Sequence, residues 1–437
     1  MKNIIQFSIL INCLFAITTI GFAQNSTKEI NSDGLKIIFK KTPKQVITAS
    51  LFIKGGNANI TEAQQGLELL ALDLALRGGT KTLNKDDFAA KADKLGTIFT
   101  AAAGRDYSTI TMTCLKENLD QSWAMFSDVL LNPAMDEGEF RVIKDQMISR
   151  AKDQEASPDT YLNRMASDGV FGGSDYAKIP DGKASTLENI TFENAKSYYA
   201  GLLGKKKCFL VVVGNLEESI LIKHIKSSLA KLPAGTEPKV PTFKSVTASN
   251  VTIKDRAIAT NYIMGVLNAP KYNTTEGPLF EFAMRILMDH YFVELRTKRS
   301  LSYAPAAYYA KRTILQPTAN LYITTIDPKQ SLQVMTDIIN DIKKNGFTEK
   351  EVKDRKKGFI TYYYMENEAS SSQAAQLGFC EASGNWRLFD EINDKINLVK
   401  AEDLNTIFKK YMNTISWVYL GKEDKVTKED FKQLALP

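Results

Sequence analysis

Apolar residues along this chain fall into short strand-like runs and longer stretches with helical spacing, and the order of the two repeats. Strand-like runs occur at Leu35–Phe39, Val46–Phe52, Gly96–Ala102 and Tyr107–Cys114, the last two separated by the turn Gly104-Arg105-Asp106. Helical periodicity follows over Leu119–Leu131, Glu137–Gln154 and Thr160–Val170. A helical segment from about Phe192 to Leu203 then leads into the apolar strand Cys208–Val213 and the pair Gly214-Asn215. The second half carries strands at Val251–Ile253, Ala257–Val266, Ser302–Ala310 and Thr318–Thr325, and helices at Gln330–Lys344, Glu349–Asn367 and Ala401–Met412. It too closes on an apolar strand, Ile415–Leu420, followed by Gly421-Lys422. The offset of the two closing glycines is 421 − 214 = 207 residues.

Between the copies, Pro233, Pro238 and Pro241 punctuate Lys231–Val246 together with Gly235 and Thr236, a linker composition. The pattern therefore predicts two homologous domains, residues 24–230 and 248–437, joined by a linker over 231–247. Strands grouped with long helices, without strict β-α-β alternation, predict the α+β class: in each domain a mostly antiparallel sheet with helices on one face.

Composition narrows the function classes. A chain of 437 residues, 44% hydrophobic and 24% charged, is globular material of a length that favours more than one domain. Residues 1–23 stand apart: Lys2, a largely apolar run Ile4–Phe22 and the small-residue pattern Gly21-Phe22-Ala23 predict a signal peptide cut after Ala23, hence a secreted or periplasmic protein. An uncleaved anchor competes less well, because Asn12, Cys13 and a Thr pair interrupt a run that is barely long enough to span. Bulky and polar Ile11-Asn12 make Cys13 a poor lipid attachment site, Asn25-Ser26-Thr27 matches a glycosylation acceptor pattern that would carry no meaning in a periplasmic protein, and no later segment reads as a transmembrane helix. Cys114, Cys208 and Cys380 are widely spaced among apolar neighbours and read as core side chains. The net charge of +6 is dispersed, with no interleaving of aromatics and arginines, which argues against nucleic acid.

Candidate chemistry gathers in Leu279–Tyr309, where Arg296 precedes Tyr303 by seven residues. Alone, that spacing arises once or so by chance in a protein of this composition, and its plainest reading is a solvated arginine at a helix end and a strand tyrosine half in the core. A second segment gives it context. Gln65-Gly66-Leu67-Glu68-Leu69-Leu70-Ala71-Leu72-Asp73-Leu74-Ala75-Leu76-Arg77-Gly78-Gly79-Thr80 follows a strand ending in Gly55-Gly56-Asn57. With the Leu-Arg-x-Lys-Arg-x-Leu-x-Tyr stretch, and with Asn189-Ile190-Thr191 ahead of the helix and strand that end in Val-Val-Gly-Asn, it resembles the insulinase/pitrilysin zinc peptidases across the whole mature chain. The closest resemblance is to the branch that includes mitochondrial processing peptidase and short bacterial relatives.

The resemblance implies that active members place H-x-x-E-H on this helix. Histidines at i and i+4 share a face that can grip one Zn²⁺, and the glutamate activates the metal-bound water. Counted from Gly66 the three positions are Leu69, Leu72 and Asp73; counted back from Thr80 they are Leu70, Asp73 and Leu74. Neither register holds a histidine, and leucine has no donor atom. The chain's two histidines, His224 and His290, lie in different halves and read as a helix-surface residue and a structural residue. The family's third ligand is a glutamate on the helix Glu137–Gln154, where Glu139 and Asp145 are nearby without a firm match.

Short members of the family commonly work in pairs, one subunit with the metal motif and one without it that keeps an Arg and a Tyr facing the zinc across a chamber. The resemblance thus implies a non-catalytic subunit with no cofactor of its own. Arg296 and Tyr303 would serve in trans on unstructured peptides, while zinc sits in a homologous partner bearing H-x-x-E-H. Lys298 and Arg299 read as solvated. The Gly55-Gly56 strand end and Gly96–Ala102 belong to the region where active relatives add a peptide strand to a sheet edge; ordinary turn and strand roles suit them better here. The alternative is a catalytically dead scaffold or peptide-binding protein of the same fold.

Overall fold

In a computed structural model, which describes residues 27–434, two sheets each receive a covering helix from the opposite half of the chain. The expected signal peptide and its cut after Ala23 lie outside these residues. The first sheet contains β1 (Thr27–Ser32), β2 (Leu35–Lys41), β3 (Val46–Lys54), β4 (Ile98–Ala103), β5 (Tyr107–Leu115) and β6 (Cys208–Gly214), in the order β1-β2-β6-β3-β5-β4. The second contains β7 (Val251–Asp255), β8 (Asn261–Asn268), β9 (Ala306–Ala310), β10 (Thr318–Thr325) and β11 (Ile415–Gly421), in the order β7-β11-β8-β10-β9. Leaving out β1, the orders superimpose element for element. In both, one parallel pairing (β2 with β6, β7 with β11) sits among antiparallel ones. The segment between Lys231 and Val251 carries no strand and is pinned at Thr242, whose N–H donates to Asp175 at 2.7 Å, and at Lys244, whose N–H donates to Gln316 at 2.7 Å.

Residue patterns explain which strands are central. In β6 and β11 every residue is buried, so Cys-Phe-Leu-Val-Val-Val and Ile-Ser-Trp-Val-Tyr-Leu read as near-continuous apolar runs. Along β4 and β5 burial alternates residue by residue, because one face of that end of the sheet is open. Strands apolar on both faces need cover on both faces. Each domain's own helices cover one face of its sheet, as expected, and the other face of the central strands is covered by a helix from the opposite half. The helix Ser370–Ala382 lies across β3 and β6, and the helix Pro158–Phe171 lies across β8 and β11. Leu162, Ala166 and Val170 pack with Met264, Val266, Val418 and Leu420, while Phe52 and Phe209, stacked at 4.8 Å, join the core of the second half.

Polar groups lock the same seam. The Asp106 carboxylate accepts the Tyr176 hydroxyl at 2.6 Å and the Ile314 N–H at 3.0 Å, and the Tyr176 oxygen in turn accepts the Leu315 N–H at 3.0 Å. Lys36 pairs with Glu381 at 2.7 Å, and the Trp386 indole donates to Glu29 at 3.1 Å.

Gly378 shows how closely the exchanged helix seats: a Cβ there would lie 1.9 Å from the Phe52 ring. Gly358, on the exposed side of the helix Glu349–Glu366, meets nothing within 4 Å. Gly378→Ala therefore destabilises the protein by about 1–3 kcal/mol through overpacking, whereas Gly358→Ala is neutral or stabilises by up to about 1 kcal/mol. Urea denaturation of the two variants checks the contrast, and equal effects would contradict the packing described.

Candidate functional site

The helix Leu67–Arg77 starts after Gly66, whose φ of 91° reverses the chain at a point where a side chain would collide with Leu187. Its second residue, Glu68, is a buried carboxylate that accepts from the Ser108 and Tyr198 hydroxyls and, at 3.2 Å, from Asn59. Burial pushes its carboxyl above the usual range, and these three donors oppose the shift. The network ties the helix to β5, to the helix Phe192–Ala200 and to the loop after β3, so the rotation of the helix is fixed.

That rotation sets which of the candidate positions face open space. Leu70, Leu72 and Leu74 are fully buried in the first core, whereas Leu69 and Asp73 face a recess of about 490 Å³. Of the three positions read from Gly66, Leu69 and Asp73 come together on its wall and Leu72 points into the core. Phe99–Ala103 of β4, Arg77, Arg150 and Asp181 complete the lining. Burial raises the Asp73 carboxyl to about 6, against the pull of Arg77 and Arg150 and with a push from Asp181. Of the two acids considered on the helix Glu137–Ala156, Glu139 is taken up by Arg77 at 2.6 Å and Lys85 at 3.2 Å, and Asp145 is exposed.

The residue of that helix that reaches the recess is Arg150, which the sequence reading missed. Its signal was available: Ile143, Met147 and Ala151 define the buried face, Arg150 borders it, and Asp145 falls on the opposite side. A divalent cation does not fit here. One hydrocarbon side chain and one carboxylate stand on the helix, a guanidinium stands opposite, and no group of three metal-binding side chains occurs among the described residues. The histidines have other partners. His290 meets Glu351 at 2.9 Å, and His224, read as a surface residue, lies largely covered against the Trp123 ring at 5.2 Å. Burial pushes the Cys208 thiol to about 11 and the Cys380 thiol to about 12, which disfavours thiolate chemistry at both.

Arg296 and Tyr303 are brought together. The helix Glu276–Tyr291 runs on into a wider turn, Phe292–Lys298, that carries Arg296, and the chain reverses at Ser300 with φ 52°. The Arg296 guanidinium lies 4.1 Å over the Tyr303 ring and 4.7 Å over Phe292. The expected strand Ser302–Ala310 begins instead at Ala306. Pro305 has no N–H to pair, so Tyr303 sits in a bend and is 79% exposed, neither in a strand nor half in the core. Lys298 and Arg299 are exposed, as expected, and both pair with Glu294. Arg296, by contrast, has no carboxylate within ion-pair distance and the Tyr303 hydroxyl no hydrogen bond among the described residues, and Phe292 and Val293 beside them are exposed. Gly55-Gly56 serve a turn: a Cβ on Gly56 would lie 2.5 Å from the Arg105 backbone.

Comparison with known proteins gives this geometry a family setting. Residues 36–178 match the model described as "Insulinase (Peptidase family M16)" and residues 189–359 that described as "Peptidase M16 inactive domain". The chain is 19% identical over 394 residues to the "Uncharacterized zinc protease YmxG" of Bacillus subtilis, covering 85% of this chain and 92% of that protein. It is 22% identical over 358 residues to the "Non-peptidase homolog YmxG" of Helicobacter pylori, covering 79% and 82%. Among solved structures, a peptidase M16 inactive domain from Pseudomonas fluorescens superimposes with a TM-score of 0.83 at 18% identity, covering 91% of this chain and 98% of that one. At such identities the structural likeness speaks for the fold.

The Asp73 carboxyl generates a pH prediction. Its folded value of about 6 lies above the roughly 3.9 of an unfolded aspartate, so the native state holds this proton more tightly. Stability is lost as pH rises between the two values and the loss persists above them. Asp73→Asn removes that loss: its stability advantage over wild type grows from near zero below pH 4 to a plateau above pH 7, read by urea denaturation across pH. A difference that does not change with pH would contradict the assignment.

Proposed function

Since the chain belongs to the M16 (insulinase) peptidase family, we propose that it is a non-catalytic subunit of a secreted or periplasmic zinc endopeptidase. It pairs with a homologous subunit bearing H-x-x-E-H, and zinc belongs to that partner. The observation that carries this reading is the Arg296–Tyr303 stack. Among the described residues, a half-buried guanidinium without a counter-ion and an exposed phenol without a hydrogen-bond partner stand outside the recess of Leu69 and Asp73, whose lining comes wholly from residues 69–181. Groups arranged this way are of use to something outside their own chain, and the exposed Phe292 and Val293 beside them suit a contact with another subunit.

The chemistry fits peptide hydrolysis. Negative charge develops on the scissile carbonyl oxygen as the peptide bond is attacked, and N–H and O–H donors held at that oxygen lower the barrier. Stacking on two rings fixes the guanidinium plane and leaves its edge N–H groups free to donate. Tyr303 supplies its hydroxyl. With Leu69 in place of a donor and Arg150 opposite, the chain's own helix takes no part in metal chemistry.

A second reading, a scaffold or peptide-binding protein, draws on β4. Among the described residues this strand has no partner on its outer side, its Ile98 is 62% exposed, and it borders the Asp73 recess. Under that reading the isolated chain binds extended peptides and its removal leaves proteolysis unchanged.

The proposal predicts that the purified chain with zinc leaves an unstructured peptide intact and that the partnered complex cleaves it. Arg296→Ala then lowers the rate of the complex by roughly 100-fold and Tyr303→Phe by roughly tenfold. Neither variant changes the thermal midpoint of the isolated chain. Cleavage by the isolated chain, or a complex indifferent to both substitutions, would overturn the proposal. For the proposed export, N-terminal sequencing of the protein from cells reads Gln24 first; an intact Met1 would contradict it.

A further inference from the structure

A cavity of about 160 Å³ lies on the seam between the halves, walled by the helix Pro158–Phe171 on one side and by β8, β9 and β10 on the other. Arg105 and Arg164 enter it from the first half and Arg312 from the second, with the amides of Asn163 and Asn320 beside them. Arg164 is matched by Glu155 at 2.8 Å. Arg105 is held by neutral groups: its Nε donates to the Tyr176 carbonyl at 2.8 Å and its Nη2 to the Ser167 hydroxyl at 3.1 Å. Among the described residues no carboxylate lies within ion-pair distance of Arg105 or of Arg312. Asp106, next in sequence, is occupied by Tyr176 and the Ile314 N–H, and Asp168 on the cavity wall is the remaining acid there.

Burial, and then the Arg312 guanidinium beside it, push Arg105 down to about 10. A guanidinium nonetheless stays charged at neutral pH. Arg312 is exposed, and Asp106 and Asp168 offset part of the charge on Arg105, yet neither guanidinium has a carboxylate within ion-pair distance among the described residues, so both keep donors to offer an incoming anion. Planar guanidinium forks match the paired oxygens of phosphate and carboxylate, and the neighbouring amides can complete the set of donors.

We propose that this cavity binds a small oxyanion, clamped between Arg105 of the first half and Arg312 of the second. Phosphate and dicarboxylates share the chemistry required. Because the two arginines come from different halves, the bound anion bridges the seam and stabilises the folded chain. This inference does not depend on any role in proteolysis.

The test is thermal unfolding of the mature chain at constant ionic strength, with chloride replaced in separate titrations by inorganic phosphate and by succinate. The midpoint rises by roughly 2–5 °C and saturates with at least one of them, and the anion that acts identifies the source. Arg105→Gln and Arg312→Gln each abolish the rise, while Arg141→Gln, on an exposed helix face with Glu137, keeps it. In chloride alone Arg312→Gln melts no lower than wild type, since it loses a repulsion and no ion pair. If Arg105→Gln fails to fold, Arg312→Gln decides. No rise with either anion, a rise that survives in Arg312→Gln, or a marked loss of stability of that variant in chloride would each overturn the proposal.

Discussion

Two sheets whose central strands are apolar on both faces cannot be closed by their own helices alone, and the chain meets that demand by exchange. The helix Pro158–Phe171 leaves the first half to cover β8 and β11, and the helix Ser370–Ala382 leaves the second to cover β3 and β6. Much of the remaining architecture follows from this. The seam becomes a core, Phe52 and Phe209 belong to the cluster of the opposite half, and the two halves are held together as one packed unit. The exchanged helices occupy the faces of the sheets, so the outer edges β4 and β9 stay open. The turn bearing Arg296 and Tyr303 stays outside the packed seam.

The second constraint is chemical. The helix at the family's metal-motif position keeps its shape and turns one carboxylate, Asp73, and one hydrocarbon side chain, Leu69, to the recess. Its start, its buried carboxylate at Glu68 and its recess are all present, while Leu69 and Asp73 stand at the two positions that face outward and Arg150 brings a positive charge opposite them. Leu69 and Leu72 are both buried in the first core and contribute apolar contact to the fold. The Arg296–Tyr303 stack has the contrary character: an exposed ring and an unpaired guanidinium contribute little to stability. That contrast, a helix whose recess offers one carboxylate beside a half-buried guanidinium and an exposed phenol without polar partners among the described residues, is the physical basis for proposing that the chain is one member of a pair.

Much of this was legible in the sequence, for stateable reasons. Cys208–Val213 and Ile415–Leu420 are runs, and runs mark central strands; their repetition 207 residues apart showed the duplication that the matching strand orders display. Other parts were illegible because the signal lies in tertiary partners. β1, Thr-Lys-Glu-Ile-Asn-Ser, is a polar edge strand without a pattern of its own. The helix Ser370–Ala382 is rich in Ser, Ala and Gly, small residues whose purpose appears only against the Phe52 ring. Pro305 was in plain view and should have pushed Tyr303 out of the strand. The pairing of Arg105 with Arg312 joins positions more than 200 residues apart and could be seen only in the fold.

The claim on which the account turns is that this polypeptide holds no catalytic metal. Its most direct test is elemental analysis of the isolated chain after equilibration with zinc and removal of free ion. The account predicts no stoichiometric zinc and no change on Asp73→Asn. One zinc per chain, lost when Asp73 is replaced, would contradict it.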